Sequence, residues 1–306
     1  MLTQQIIDTV VRAALTEDAP WGDLTSQLLI PAEAYATAHL RAREAGVFSG
    51  GGVFQAAMTE TDGDIRTTLL VADGDRFEAG ATLASVTGPA RSVLQAERVA
   101  LNLVQRMSGI ATLTATFVDL IAGTKARIVD TRKTTPGLRA LERHAVRSGG
   151  GQNHRFSLSD AVLAKDNHLA ILTEHGGLTV TEALLHVRAQ LSHTTHLEVE
   201  VDRIDQIEPV LAAGVDTIML DNFTIDQLTE GVALVAGRAL IEASGNVNLT
   251  TVRAIAETGV DVISVGALTH SVRALDLGLD VDISMPSNAS DAEPATLAEH
   301  ARPTIA

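Results

Sequence analysis

His196-Leu-Glu-Val-Glu-Val-Asp202 alternates aliphatic and acidic side chains and then ends on a charge. In a strand, successive side chains point to opposite faces, so Glu198 and Glu200 share one face. Two acids turned inward need cations or a metal opposite them. Five more runs have the same form, an aliphatic stretch ending in polar groups: ARIVDTRKT from Ala126, DAVLAKDNH from Asp160, TIMLDNF from Thr217, RALIEASGN from Arg238 and VISVGALTH from Val262. The shorter intervals between them fit one strand, one helix and two short loops, and the longer ones leave room for extra loops. Such βα units in series predict a parallel sheet, read here as a barrel; periodicity alone leaves a doubly wound sheet open. In a barrel the C-terminal strand ends converge on one mouth. Those ends carry Arg132, Lys133, Lys165, Glu200, Asp221, Ser244 and Gly266.

Upstream, the first 25 or so residues read as an amphipathic helix that stops in the turn-rich Asp18–Asp23, with no basic start and no continuous apolar core, hence no signal peptide. Residues 37–93 read as short strands separated by glycines, and helical spacing returns from Leu94 to about Met107. The Pro-, Ala- and acid-rich tail, 285–306, reads as a flexible extension. Aromatic residues are only 3% of the 306, so the core must be aliphatic, as in α/β packing. The absence of cysteine excludes disulfides and thiolate sites. A net charge of −15 makes nucleic acid and acidic membranes poor partners, and no apolar stretch approaches a membrane span. The expected setting is cytoplasmic.

The charge is unevenly placed. Residues 125–165 hold nine Lys/Arg against three Asp/Glu, whereas 198–242 hold ten acids against Arg203 and Arg238. If both windows line one mouth, one side attracts anions and the other offers hard oxygen ligands to a cation. Arg139, Glu142, Arg143 and Arg147 follow Pro136-Gly137 on a helix-like stretch and read as a solvated face. The Gly149-Gly-Gly151 loop before His154-Arg155 could bring backbone N–H groups close to an anion, and could equally be a linker. Glu242-Ala-Ser-Gly-Asn246 and Val265-Gly-Ala267 read as phosphate-holding βα turns or simply as tight turns. His154, His168 and His270 lack the spacing of a transition-metal site.

Nine segments, in order along the chain, resemble the quinolinate phosphoribosyltransferase family, also called carboxylating nicotinate-nucleotide pyrophosphorylase. They are EDAPWGDLT (17–25), ERVALNLVQRMSGIAT (97–112), DTRKTTPGLR (130–139), GGGQNHR (149–155), KDNH (165–168), EVEVD (198–202), LDN (220–222), EASGN (242–246) and VGALTHS (265–271). The resemblance implies an N-terminal α/β sandwich-like domain (1–110, with 271–284 packing back on it) beside an incomplete, about seven-stranded α/β barrel (111–270). It implies transfer of phosphoribosyl from phosphoribosyl pyrophosphate to quinolinate with loss of CO2, a step of NAD biosynthesis, in a homodimer with shared sites; further assembly into a hexamer of dimers stays open. Carried over, Arg98 of a neighbouring subunit, with Arg132, Lys133, His154, Arg155 and Lys165, would surround the two carboxylates of quinolinate, and Thr131 and Val265 would also bind substrate. Glu200 and Asp221 would serve Mg²⁺, directly or through water or substrate, and no organic cofactor is expected. Ser244, Gly245, Asn246, Gly266 and Ala267 would lie near the phosphates. Lys133, Lys165, Glu200 and Asp221 are the expected catalytic groups, with either lysine as the proton donor. A paralogue linked to molybdenum transport should lack part of the basic set; a non-catalytic metabolite sensor should release no product.

Overall fold

The computed structural model describes residues 2–171, 173 and 177–285, so the predicted tail lies outside the described residues except for Met285. The N-terminal part runs α1 (Gln4–Asp18), α2 (Leu24–Leu29), β1 (Tyr35–Ala42), β2 (Gly46–Val47), α3 (Gly51–Thr61), β3 (Arg66–Leu69), β4 (Arg76–Phe77), β5 (Thr82–Pro89) and α4 (Ala90–Leu120). The remainder runs β6 (Arg127–Val129), α5 (Arg139–Ser148), β7 (Val162–Ala164), α6 (Asp166–Ala170), α7 (Val180–Gln190), β8 (Leu197–Val201), α8 (Ile207–Leu211), β9 (Thr217–Asp221), α9 (Ile225–Val235), β10 (Leu240–Ser244), α10 (Val252–Glu257), β11 (Val262–Ser264), α11 (Ala267–His270) and β12 (Leu277–Ser284).

An antiparallel sheet of order β12-β1-β5-β3 forms one layer of the N-terminal part. Alternation along β1 buries Ala36, Ala38, Leu40 and Ala42, on the face that meets the helices. Across the register these four stand opposite Ile283, Val281, Leu279 and Leu277, so the returning β12 extends the same apolar face.

Two expectations change here. The Gly50-Gly51-Gly52 stretch is not punctuation between strands but the start of α3, whose Val53, Phe54, Ala57 and Met58 are buried. Its first N–H groups are satisfied by Asp73, whose Oδ1 accepts from Gly50 and Gly51 at 3.0 Å each. The helix predicted from Leu94 to Met107 in fact spans 31 residues and runs unbroken through position 110.

Six parallel strands, in the order β6-β11-β10-β9-β8-β7, make the second unit. Beyond β6 a bridge between Val129 and Gln152 adds a rudimentary seventh element. Among the described residues no strand pairing closes the ring between this bridging segment and β7. It is spanned there by Arg155, whose guanidinium donates to the Ala161 carbonyl at 2.8 Å. The glycines of the 149–151 loop meet a packing need rather than an anion. A Cβ on Gly149 would lie 2.4 Å from the Ala111 carbonyl oxygen, and one on Gly151 would lie 2.8 Å from Thr114 Cγ2. They let the segment press against α4.

Gly109 does the same for the chain that returns towards β12. A Cβ there would stand 2.2 Å from the Arg273 carbonyl oxygen, a backbone atom that cannot swing aside. Gly109→Ala is therefore expected to lower unfolding stability by about 1–3 kcal/mol, as overpacking does. Chemical denaturation should show the shift, and an unchanged midpoint would mean that this junction is loose.

Candidate active site

The C-terminal ends of the parallel strands surround a cavity of about 650 Å³. Of the residues singled out from sequence, Thr131, Arg132, Lys133, His154, Arg155, Lys165, Glu200, Asp221, Ser244, Gly245 and Asn246 all line it. The two charge windows thus meet in one place. Gly266 lies beside it, since a Cβ there would be 3.1 Å from Lys133 Cδ. Val265 belongs to the core, at 1% exposure, and Ala267 begins a short helix; neither is among the lining residues. Arg98 sits on an exposed part of α4, and its own chain does not bring it to the cavity.

The cations are held from behind. Asp130, fully buried at the end of β6, accepts from the His154 backbone N–H at 2.9 Å and from Asn153 Nδ2 at 2.5 Å. It also faces Arg143 at 3.3 Å. Burial pushes the Asp130 carboxyl upward, against the pull of Arg143 and of these donors. Arg143 donates on to the His154 and Arg155 carbonyls at 2.7 and 3.2 Å and lies over the Phe156 ring, 5.3 Å from its centre. Arg139 ties Thr134 Oγ1 to the Phe156 carbonyl, at 3.0 and 3.2 Å. Glu142, 1% exposed, pairs with Arg106 of α4 at 2.6 Å and accepts from the Thr135 N–H at 3.2 Å. The solvated-face reading therefore fails for Arg139, Glu142 and Arg143. Their partners lie elsewhere in the chain, and only Arg147 is exposed.

Arg132 and Arg155 stand close enough that the charge of Arg132, after burial, helps to lower the pKa of Arg155. Arg132 Nε is buried without a hydrogen-bond partner among the described residues. Two like charges and an orphaned donor facing one cavity leave a place for an anion, and a planar guanidinium suits a carboxylate best. Opposite them, Lys165 Nζ is ion-paired with Glu200 Oε2, and Asp221 accepts from Asn222 Nδ2 at 2.6 Å.

The turns after β9 and β10 are strained. Asn222 and Asn246 hold left-handed φ values of 59° and 53°, and Asn246 Nδ2 donates to Asn222 Oδ1 at 3.1 Å. Gly245, at φ 89°, fits against them because a Cβ would reach Asn222 Oδ1 at 2.2 Å.

Three polar lining residues went unassigned from sequence, Asn222, Ser264 and Glu242, beside the apolar Leu163 and Met219. Glu242 was legible, because alternation along Leu240–Ser244 sets it on the same face as Ser244. It is 3% exposed, and burial together with Glu198 raises it to about 8. His154 Nε2 lies 3.0 Å from Glu198 and 3.6 Å from Glu242. Burial disfavours the imidazolium, but the Glu198 hydrogen bond and the charges of Glu242, Glu198 and Asp130 prevail and raise the His154 pKa. The three groups are close enough to hold a metal on distance alone. The tautomer argues against it. In its neutral form, the one a metal would need, the ring accepts at Nδ1 from the Arg155 N–H at 2.8 Å and keeps its proton on Nε2, facing Glu198.

The chain matches the model of the quinolinate phosphoribosyl transferase C-terminal domain over residues 110–280 and of the N-terminal domain over 23–108. It is 46% identical over 277 residues to a carboxylating nicotinate-nucleotide pyrophosphorylase of Mycobacterium leprae, covering 89% of this chain and 95% of that one. A probable enzyme of the same name from Bacillus subtilis is 41% identical over 271 residues, with 89% and 92% covered. A solved structure described as NadC of Streptococcus pyogenes superposes with a TM-score of 0.87 at 40% identity, covering 93% and 98% of the two chains.

Replacing Glu142 by Gln keeps its shape but removes the charge that Arg106 and the Thr135 turn share. Unfolding stability is expected to fall by about 1.5–3 kcal/mol, the usual worth of hydrogen bonds to a charged group. An unchanged denaturation midpoint would show that the pair only decorates the fold.

Proposed function

The chain belongs to the quinolinate phosphoribosyl transferase family, and on that premise we propose that it transfers phosphoribosyl from phosphoribosyl pyrophosphate to quinolinate, releasing pyrophosphate and CO2 and forming nicotinate mononucleotide in NAD biosynthesis. The observation that carries this reading is the facing pair Arg132 and Arg155, with the orphaned Arg132 Nε, in the same cavity as Glu200 and Asp221.

Quinolinate has two adjacent carboxylates, and the donor brings a pyrophosphate and a phosphate. Bringing them together costs Coulomb energy that several cations must offset. Arg132 and Arg155 would grip the carboxylates, with His154 at the cavity wall beside them, while Lys133 and Lys165 spread positive charge over the remaining anionic groups. Held in place, the ring nitrogen displaces pyrophosphate at the sugar's anomeric carbon through an oxocarbenium-like state. Glu200 and Asp221 would face the positive charge that grows on the ribose. The strained Ser244-Gly245-Asn246 turn and the Gly266-Ala267 turn would receive phosphate.

Mg²⁺ fits this donor set. Glu200 meets Lys165 through Oε2 and Asp221 meets Asn222 through Oδ2, so each has a second hard oxygen to offer. Two carboxylates at an open mouth suit an ion that keeps its waters and arrives on substrate phosphates. Bound there, Mg²⁺ would neutralise the departing pyrophosphate.

Alkylated, the ring is a cation, and CO2 can leave from the carbon beside N⁺ because its electron pair is stabilised there. That carbon then needs a proton. Lys133 and Lys165 flank that position at the mouth.

The proposal extends to a homodimer in which Arg98 of one subunit reaches the other's mouth, to a cytoplasmic setting, and to the division 1–110 and 111–270, with 271–284 returning to the first part. In support of the dimer, Trp21, Leu24, Leu28 and Leu29 form a strongly exposed apolar set near α2. No helix of the described residues is long and apolar enough to cross a membrane.

Mixing the protein with quinolinate, phosphoribosyl pyrophosphate and Mg²⁺ should release pyrophosphate and CO2 together; a metabolite sensor would release neither. Arg132→Ala or Arg155→Ala is expected to raise KM for quinolinate at least about 10-fold, given roughly 1.5–3 kcal/mol per charged hydrogen bond. An unchanged KM in steady-state assays removes that residue from the site.

A further inference from the structure

Glu242 stands where two cavities meet. Besides the mouth, a second cavity of about 400 Å³ opens at the N-terminal ends of the strands, beside Arg127, Asp160, His196 and Thr217. Among the described residues, only His154, Arg155 and Glu242 line both cavities. These three form a septum across the barrel axis, and Glu242 is its one carboxyl group. Its Oε1, like that of Glu198, is buried with no hydrogen-bond partner among the described residues.

Charged and titratable groups reach this septum from several elements. Glu198 comes from β8, His154 and Arg155 from the bridging segment, and Asp130 and Arg132 from the end of β6; Asp221 ends β9, and β11 offers only Ser264. Burial and the neighbouring Glu198 outweigh His154 and Ser264, so Glu242 is raised to about 8. It therefore carries a proton at neutral pH and loses it above that value. Lys165 is committed to Glu200, and Lys133 is exposed to solvent.

We propose that Glu242, rather than either lysine, supplies the proton taken up by the ring carbon after CO2 leaves, and that water in the floor cavity restores it. This rests on the transfer reading above. The bond between the ring carbon and its carboxylate breaks, CO2 departs, and the electron pair stays on the carbon beside N⁺. That pair forms a C–H bond with the Glu242 proton, and the O–H pair remains on Glu242 as a carboxylate. A second negative charge beside Glu198 is unfavourable in a buried site, so the carboxylate recovers a proton from floor water. One proton is consumed per turnover, and neither lysine takes part in its transfer.

The test follows pyrophosphate and nicotinate mononucleotide together in single-turnover reactions of the full protein and of Glu242→Gln. In the variant, mononucleotide formation should fall about 100-fold relative to pyrophosphate release, the usual worth of a placed proton donor. In the unaltered protein the ratio of the two rates should decline above about pH 8. That second measurement does not depend on how the variant folds. A parallel loss of both products in Glu242→Gln, no loss at all, or a wild-type ratio that is flat through this pH range overturns the proposal. Absence of pyrophosphate release from the unaltered protein would instead refute the transfer reading itself.

Discussion

Asp130 has no exposed surface, and it joins the two arms that carry the site's cations. One arm is the end of β6, with Thr131, Arg132 and Lys133; the other is the bridging segment, with His154 and Arg155. Left alone, Arg132 and Arg155 would drive these arms apart. Asp130 takes hydrogen bonds from the second arm while standing at the root of the first, and Arg143 reinforces it from α5. A buried carboxylate is costly when unpaired and strongly directional when its oxygens are filled. Like charges are thus held ready before any anion arrives, which is how preorganised electrostatic sites work.

Around this clamp the basic residues divide into two kinds. Arg139 and Arg143 spend their donors on backbone carbonyls and side chains of the site loops, and Arg106 does the same for Glu142. Arg132 and Lys133 stay turned to the cavity. The protein can therefore be strongly acidic overall and still keep a cationic wall for a small dianion. The acids opposite come from later strands, where short βα turns leave Glu200 and Asp221 at the same mouth.

Much of this was legible in strand alternation. The polar tips of six aliphatic runs foretold one shared mouth, and the 196–202 run foretold two inward acids, each now facing a basic side chain: Glu198 beside His154 and Glu200 beside Lys165. What escaped depended on distant partners. Nothing local to Arg143 or Glu142 announces Asp130, Phe156 or Arg106, so a basic helix read as solvated. The glycines before α3 read as a break because Asp73, which satisfies that helix start, lies over twenty residues away. The 149–151 glycines answer to α4, a contact between elements rather than a local pattern.

The whole site is organised around where the dianion sits. A crystal structure of the protein with quinolinate tests this most directly. It should place the two carboxylates between Arg132 and Arg155, with one of them on Arg132 Nε. Quinolinate bound elsewhere on the barrel, with those two guanidiniums still facing an unfilled wall, would contradict it.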